Sequence, residues 1–161
     1  MVVKISTVIF ISMLIGSCSN NADIHTGEVK EQTKSIEVSC KTPTWNDLIR
    51  AVIHVESRGN DSAVGDNGRA VGCLQIHPIM VREVNRILAK HDIPTTYTLN
   101  DRYSRAKSIE MFNIISEEYY CCEDYTFMEY AEIVARRWNG GPNGDKKVST
   151  IKYFNKVKKQ L

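Results

Sequence analysis

The chain has 161 residues, 42% hydrophobic and 25% charged, which is room for one domain with a modest core. A formal net charge of +2 is too small to point to nucleic acid as a partner. The charge is nonetheless uneven. Lys146, Lys147, Lys152, Lys156, Lys158 and Lys159 crowd the last stretch, either as a solvated helix face or as a contact for an anionic polymer or membrane surface.

Residues 1–17 read as a signal peptide: Lys4 supplies a minimal positive region, and Ile5 to Gly16 is apolar but short for a bilayer span. The segment closes on Ile15-Gly16-Ser17-Cys18, which resembles a bacterial lipobox. That resemblance implies cleavage before Cys18 and lipidation of its thiol. The protein would then be anchored to a bacterial membrane in the cell envelope, periplasm-facing or at the surface. The same small residues fit ordinary secretion. Residues 18–43 are polar and read as a flexible tether, leaving 44–161 as the folded domain. Export exposes Cys40, Cys121 and Cys122 to oxidation, so a disulfide is expected, with its pairing open. Cys73, flanked by Val71, Gly72 and Leu74, is expected to be a buried small hydrophobe. No Cys-x-x-Cys occurs, which argues against a structural zinc site.

Within the domain, a first helix is predicted from Thr44 or Trp45 to Ser57, with Asn46, Arg50 and His54 on its wet side. Trp45, Ile49, Val52 and Ile53 fall at helical spacing, and one more turn of that face lands on Glu56. An acid on an oily stripe resists ionisation, so its pKa is expected to rise. Residues 58–73 are rich in Gly, Asp and Asn and suit a turn or small hairpin. Further helices are predicted at 79–90, using Ile79, Val81, Val84, Ile87 and Leu88, and at 102–120, using Ala106, Ile109, Phe112, Ile115 and Tyr119. A helix over 126–138 stops at Asn139-Gly140-Gly141-Pro142, and the last, 148–160, is expected to bury Ile151, Phe154 and Val157. The sum is a mainly α, compact helical domain with one Gly-rich loop or β-hairpin after the Glu56 helix.

Three separated segments carry a resemblance: Val55-Glu56-Ser57, the run Ala63 to Ile76, and Trp138 to Gly144. Together they resemble the lysozyme-like superfamily of peptidoglycan-cleaving enzymes, over about residues 44–161. The first two look like soluble lytic transglycosylases, with Glu-Ser ahead of Gly-x-x-Gln-Ile. The third, continued through Thr150 and Tyr153, is similar to invertebrate-type lysozymes. The resemblance implies an α+β lysozyme-like fold and cleavage of the β-1,4 bond between N-acetylmuramic acid and N-acetylglucosamine. It makes Glu56 the general acid, Gln75 and Ser57 substrate contacts, Asn139 and Gly140 a turn facing the sugar, and Tyr153 the aromatic of the last helix. A glutamic acid with a raised pKa is the established lysozyme pattern.

Cleavage of a glycosidic bond also needs stabilisation of an oxocarbenium-like centre. Asp66 is the candidate second carboxylate, with Asp61 behind it; a turn residue bonding its own backbone is the competing role for Asp66. In invertebrate-type lysozymes the second acid lies earlier, nearer Ala63. Lytic transglycosylases need none: the substrate's N-acetyl group assists, and a 1,6-anhydro sugar results. No metal or organic cofactor is implied, and the expected partners are peptidoglycan strands and a membrane, with the protein a monomer. His54-Val55-Glu56 spells the H-x-E of a zinc deaminase, but the downstream Pro-Cys-x-x-Cys is absent. The alternative function is a non-catalytic peptidoglycan-binding lipoprotein that keeps the cleft.

Overall fold

The computed structural model describes residues 42–120 and 125–161. Cys18, Cys40, Cys121 and Cys122, the signal peptide and nearly all of the expected tether lie outside them. Helix α1 (Trp45–Ser57) opens on a capping box: the Asp47 amide donates to the Thr44 hydroxyl, and the Thr44 amide donates to the Asp47 carboxylate at 2.8 Å. The Thr44 hydroxyl also donates to the Asp47 carboxylate at 2.6 Å, and that bond with the amide's holds the Asp47 pKa down to about 2. The helix stops at Arg58, whose backbone turns left-handed with φ 55°.

A small antiparallel hairpin follows, β1 (Val64–Gly65) and β2 (Ala70–Val71), with Val64 opposite Val71 and Gly65 opposite Ala70. Its connection is a 3₁₀ turn at Asp66–Gly68 in which Asp66 and Asn67, neither a glycine, have φ of 47° and 53°. Gly72 (φ 81°) is required on two counts, because a Cβ there would also lie 1.8 Å from the Arg102 carbonyl oxygen. Helix α2 (Pro78–Lys90) starts on proline, which gives up an amide the first turn cannot use.

Helix α3 (Arg105–Tyr120) begins three residues later than the predicted 102, because Leu99–Tyr103 form a 3₁₀ turn capped by Thr98 and Asp101. Arg102 in that turn is buried and donates to the carbonyls of Leu99, Arg69 and Ile76 at 2.7, 3.0 and 3.1 Å. It thereby ties the hairpin to the start of α3. Helix α4 (Phe127–Gly140), capped by the Thr126–Glu129 box, runs two residues past the predicted 138 and takes in Asn139 and Gly140. Helix α5 (Ile151–Lys158) is shorter than the predicted 148–160, since Val148–Thr150 form a 3₁₀ turn.

Leu48, Val52, Leu74, Ile76, Phe112 and Val134 are fully buried, so α1, the segment after β2, α3 and α4 share one core. Phe112 packs at a tilt against Trp138, with centroids 4.7 Å apart, and against Trp45 at 5.7 Å. The fold is mainly α and lysozyme-like, with its small hairpin directly after α1. Cys73 is buried as expected and is a free thiol. Four apolar residues expected inside are outside: Ala106 is exposed, Ile79 is 63% exposed, and Tyr119 and Ile151 are 42% exposed. Spacing put each on an apolar stripe; packing leaves the edge of that stripe uncovered. Among the described residues no helix is long and apolar enough to cross a membrane.

Candidate active site

A cleft of about 700 Å³ opens between the end of α1, the hairpin, α2 and the facing ends of α3 and α4. Glu56, in the last turn of α1, is half-buried in its wall. The Tyr153 hydroxyl of α5, 97 residues away, donates to Glu56 Oε1 at 2.6 Å. Burial pushes the Glu56 carboxyl above its ordinary 4.5, while the Tyr153 bond, which favours the ionised form, pulls it back. Desolvation, together with the neighbouring carboxylate, drives the Tyr153 phenol well above its own ordinary value. Tyr153 therefore stays a donor, and Glu56 is the group that titrates.

Asp66 reaches the same cleft from the hairpin turn. It is exposed, accepts from Arg69 Nη2 at 3.0 Å, and lies 3.6 Å from His77 Nε2. Gln75 lines the cleft from a left-handed backbone (φ 49°), and its amide nitrogen donates to the Gly72 and Ala63 carbonyls. It fastens the loop and faces the cleft at once. A Cβ on Gly65 would fall 2.5 Å from Gln75 Oε1, so that glycine makes room for the amide. Asn139 is exposed at the rim.

The cleft lining does not include Ser57, Gly140 or Tyr153, all expected at the substrate. The Ser57 hydroxyl donates to the Cys73 carbonyl at 2.8 Å, pinning the Gly-rich loop onto α1 just beside Glu56. Gly140 is a close-approach residue, because a Cβ there would meet Thr150 Cγ2 at 2.6 Å. Tyr153 is bonded to Glu56 Oε1 from α5. Trp138 is buried and also forms cleft wall.

Sequence reasoning missed the far wall, formed by Met80, Glu83, Tyr119, Tyr120 and Arg137. Arg137 is held by Asp145 at 2.7 Å and by the Tyr119 carbonyl at 3.2 Å, with its guanidinium 5.3 Å from the Tyr120 ring centre. Burial raises the Tyr120 phenol to about 12. Glu83 accepts from Arg86 and from the Tyr119 hydroxyl, which together lower its pKa. Arg137 adjoins the Trp138–Gly144 motif and could have been found from it. Glu83 gave no signal, since an acid on an amphipathic helix reads as its solvated face. Among the described residues no group of three or more His, Cys, Asp or Glu is placed to hold a metal ion.

A mainly helical lysozyme-like domain with a half-buried glutamate at the end of its first helix is the class that fold and cleft define. The chain belongs to the transglycosylase SLT domain family, whose model matches residues 34–159. Searches of curated proteins and of solved structures returned no match. At the level of the family, the chain is a peptidoglycan-cleaving enzyme of the lytic transglycosylase kind.

Proposed function

We propose that this protein cuts the β-1,4 bond between N-acetylmuramic acid and N-acetylglucosamine, with Glu56 as sole general acid and base. The observation that carries this is Glu56 itself: half-buried on a cleft wall, its pKa raised, and its orientation set by one phenol bond. Protonated Glu56 gives its proton to the leaving glycosidic oxygen as the C1–O bond breaks. The muramoyl N-acetyl oxygen bonds to C1 and forms an oxazolinium. Glu56, now a carboxylate, takes the proton of the C6 hydroxyl as that oxygen attacks C1 and the oxazolinium opens. The products are a 1,6-anhydro sugar and a new non-reducing end.

The lytic route is favoured over hydrolysis by the state of the other carboxylates. Asp66 is exposed and paired with Arg69, and Glu83 is bound by Arg86 and Tyr119. Neither is poised as a free nucleophile. Gln75 and Asn139 are assigned to the sugar by their place in the cleft. An anchor at Cys18 would hold the domain at the envelope where its substrate lies.

Mass spectrometry of released muropeptides tests the reading. Wild type is expected to give products one water lighter than those of a hydrolase. Glu56→Gln keeps the shape, removes the transferable proton and is expected to cost about 10²–10⁴-fold in rate. Equal release by both proteins would sink the assignment.

A further inference from the structure

The lysine run has no part in the cleft, yet it is the most lopsided feature of the chain. Six of the 21 Lys and Arg fall within residues 146–161, where no acid occurs, so the other 145 residues hold all 19 acids and are net acidic. One sign of charge concentrated on one segment helps to orient a molecule at a charged surface.

On α5 the inner side is occupied: Phe154 and Val157 are buried, and Tyr153 reaches Glu56. The outer side is not. Lys152, Lys156 and the C-capping Lys159 are exposed and, at helical pitch, fall within an arc of about 60°. No salt bridge involves any of the three among the described residues. Two apolar residues join this surface: Val148 is 82% exposed in the turn before α5, and Ile151 is 42% exposed at its first position.

We propose that the outer face of α5 docks on an anionic lipid bilayer. The lysines meet the headgroups, and Val148 and Ile151 enter the headgroup–acyl boundary. Exposed apolar side chains among lysines are what separates this surface from one made for a hydrated polyanion. A bilayer rewards both kinds of side chain, whereas a wall polymer rewards only the charge. Lysine stems can lie along the apolar boundary with their ammonium groups in the headgroup layer. The proposal stands on the α5 surface alone and does not depend on the cleavage mechanism.

Co-sedimentation of the full chain, carrying Cys18→Ser in every arm to prevent acylation, tests it. Vesicles of phosphatidylcholine alone are compared with vesicles containing about one-third phosphatidylglycerol. The apolar leader contributes equally in all arms, so differences between variants report α5. The expected result is tighter binding to the anionic vesicles, weakened by salt. Lys152→Gln, Lys156→Gln and Lys159→Gln together should weaken it by about a hundredfold at low salt. The same three changed to Arg should keep it. Val148→Ser with Ile151→Ser should lower binding by about tenfold. An unchanged thermal midpoint confirms that each variant is folded. Wild-type binding by the glutamine triple would overturn the proposal. So would binding to soluble polyglycerol phosphate as tight as to vesicles with no loss in the serine pair, which would assign the face to a polyanion.

Discussion

At the scale of single residues, Glu56 and Tyr153 form a pair with opposed effects on one proton. Burial holds that proton on Glu56, so the folded chain binds it more tightly than the unfolded chain does. The stability this contributes is complete below the unfolded value of 4.5 and is lost as pH rises through the folded pKa. Glu56→Gln has no charge to bury. Its thermal midpoint should match wild type near pH 4 and exceed it by about 2–4 °C at pH 8, read by calorimetry. Tyr153→Phe removes a bond that favours the carboxylate form. The alkaline limb of the pH–rate profile should then move to higher pH, because Glu56 keeps its proton longer. A limb that stays in place or moves down would show that Tyr153 does not set this pKa.

At the scale of elements, the hairpin is held by groups the local pattern could not supply. Glycine, aspartate and asparagine announced a turn after α1, but nothing near Arg102 announced a buried guanidinium joining three carbonyls. A lone arginine in a polar loop reads as solvated because its partners come from segments 26 and 33 residues away. Arg102→Ala should cost about 3 kcal/mol in urea unfolding, since charged hydrogen bonds are lost and carbonyls are left buried. Gly72→Ala should cost at least as much. It forces a left-handed alanine and drives its Cβ into the Arg102 carbonyl, backbone against backbone.

At the scale of the whole molecule, three carboxylates reach one cleft from three elements: Glu56 from α1, Asp66 from the hairpin turn and Glu83 from α2. Packing gives them unequal neighbours. Glu56 meets a neutral phenol and little water, while Asp66 and Glu83 meet arginines. Burial raises the Glu56 pKa, whereas the bonds from Arg86 and Tyr119 lower that of Glu83. Asp66→Asn is accordingly expected to leave the rate of anhydro-muropeptide release within about threefold of wild type, far short of a catalytic acid–base loss. A fall of a hundredfold or more would make Asp66 part of the chemistry.

Residue order by itself determined the helices, the turn after Ser57 and the acid on the oily face of α1. Those features follow from spacing within one turn or two, where the chain is its own neighbour. It also carried the family resemblance, because the motifs are short and contiguous. Only the tertiary structure decided what Glu56 would touch. Its phenol lies 97 residues away, Ser57 spends its hydroxyl on Cys73, and Ile79 and Tyr119 remain exposed on the cleft walls. The reason is physical: periodicity reports which way a side chain leaves its own helix, whereas its partner depends on which other helix packs there. The glutamate on the oily face was legible, but the phenol 97 residues away that bonds it was not.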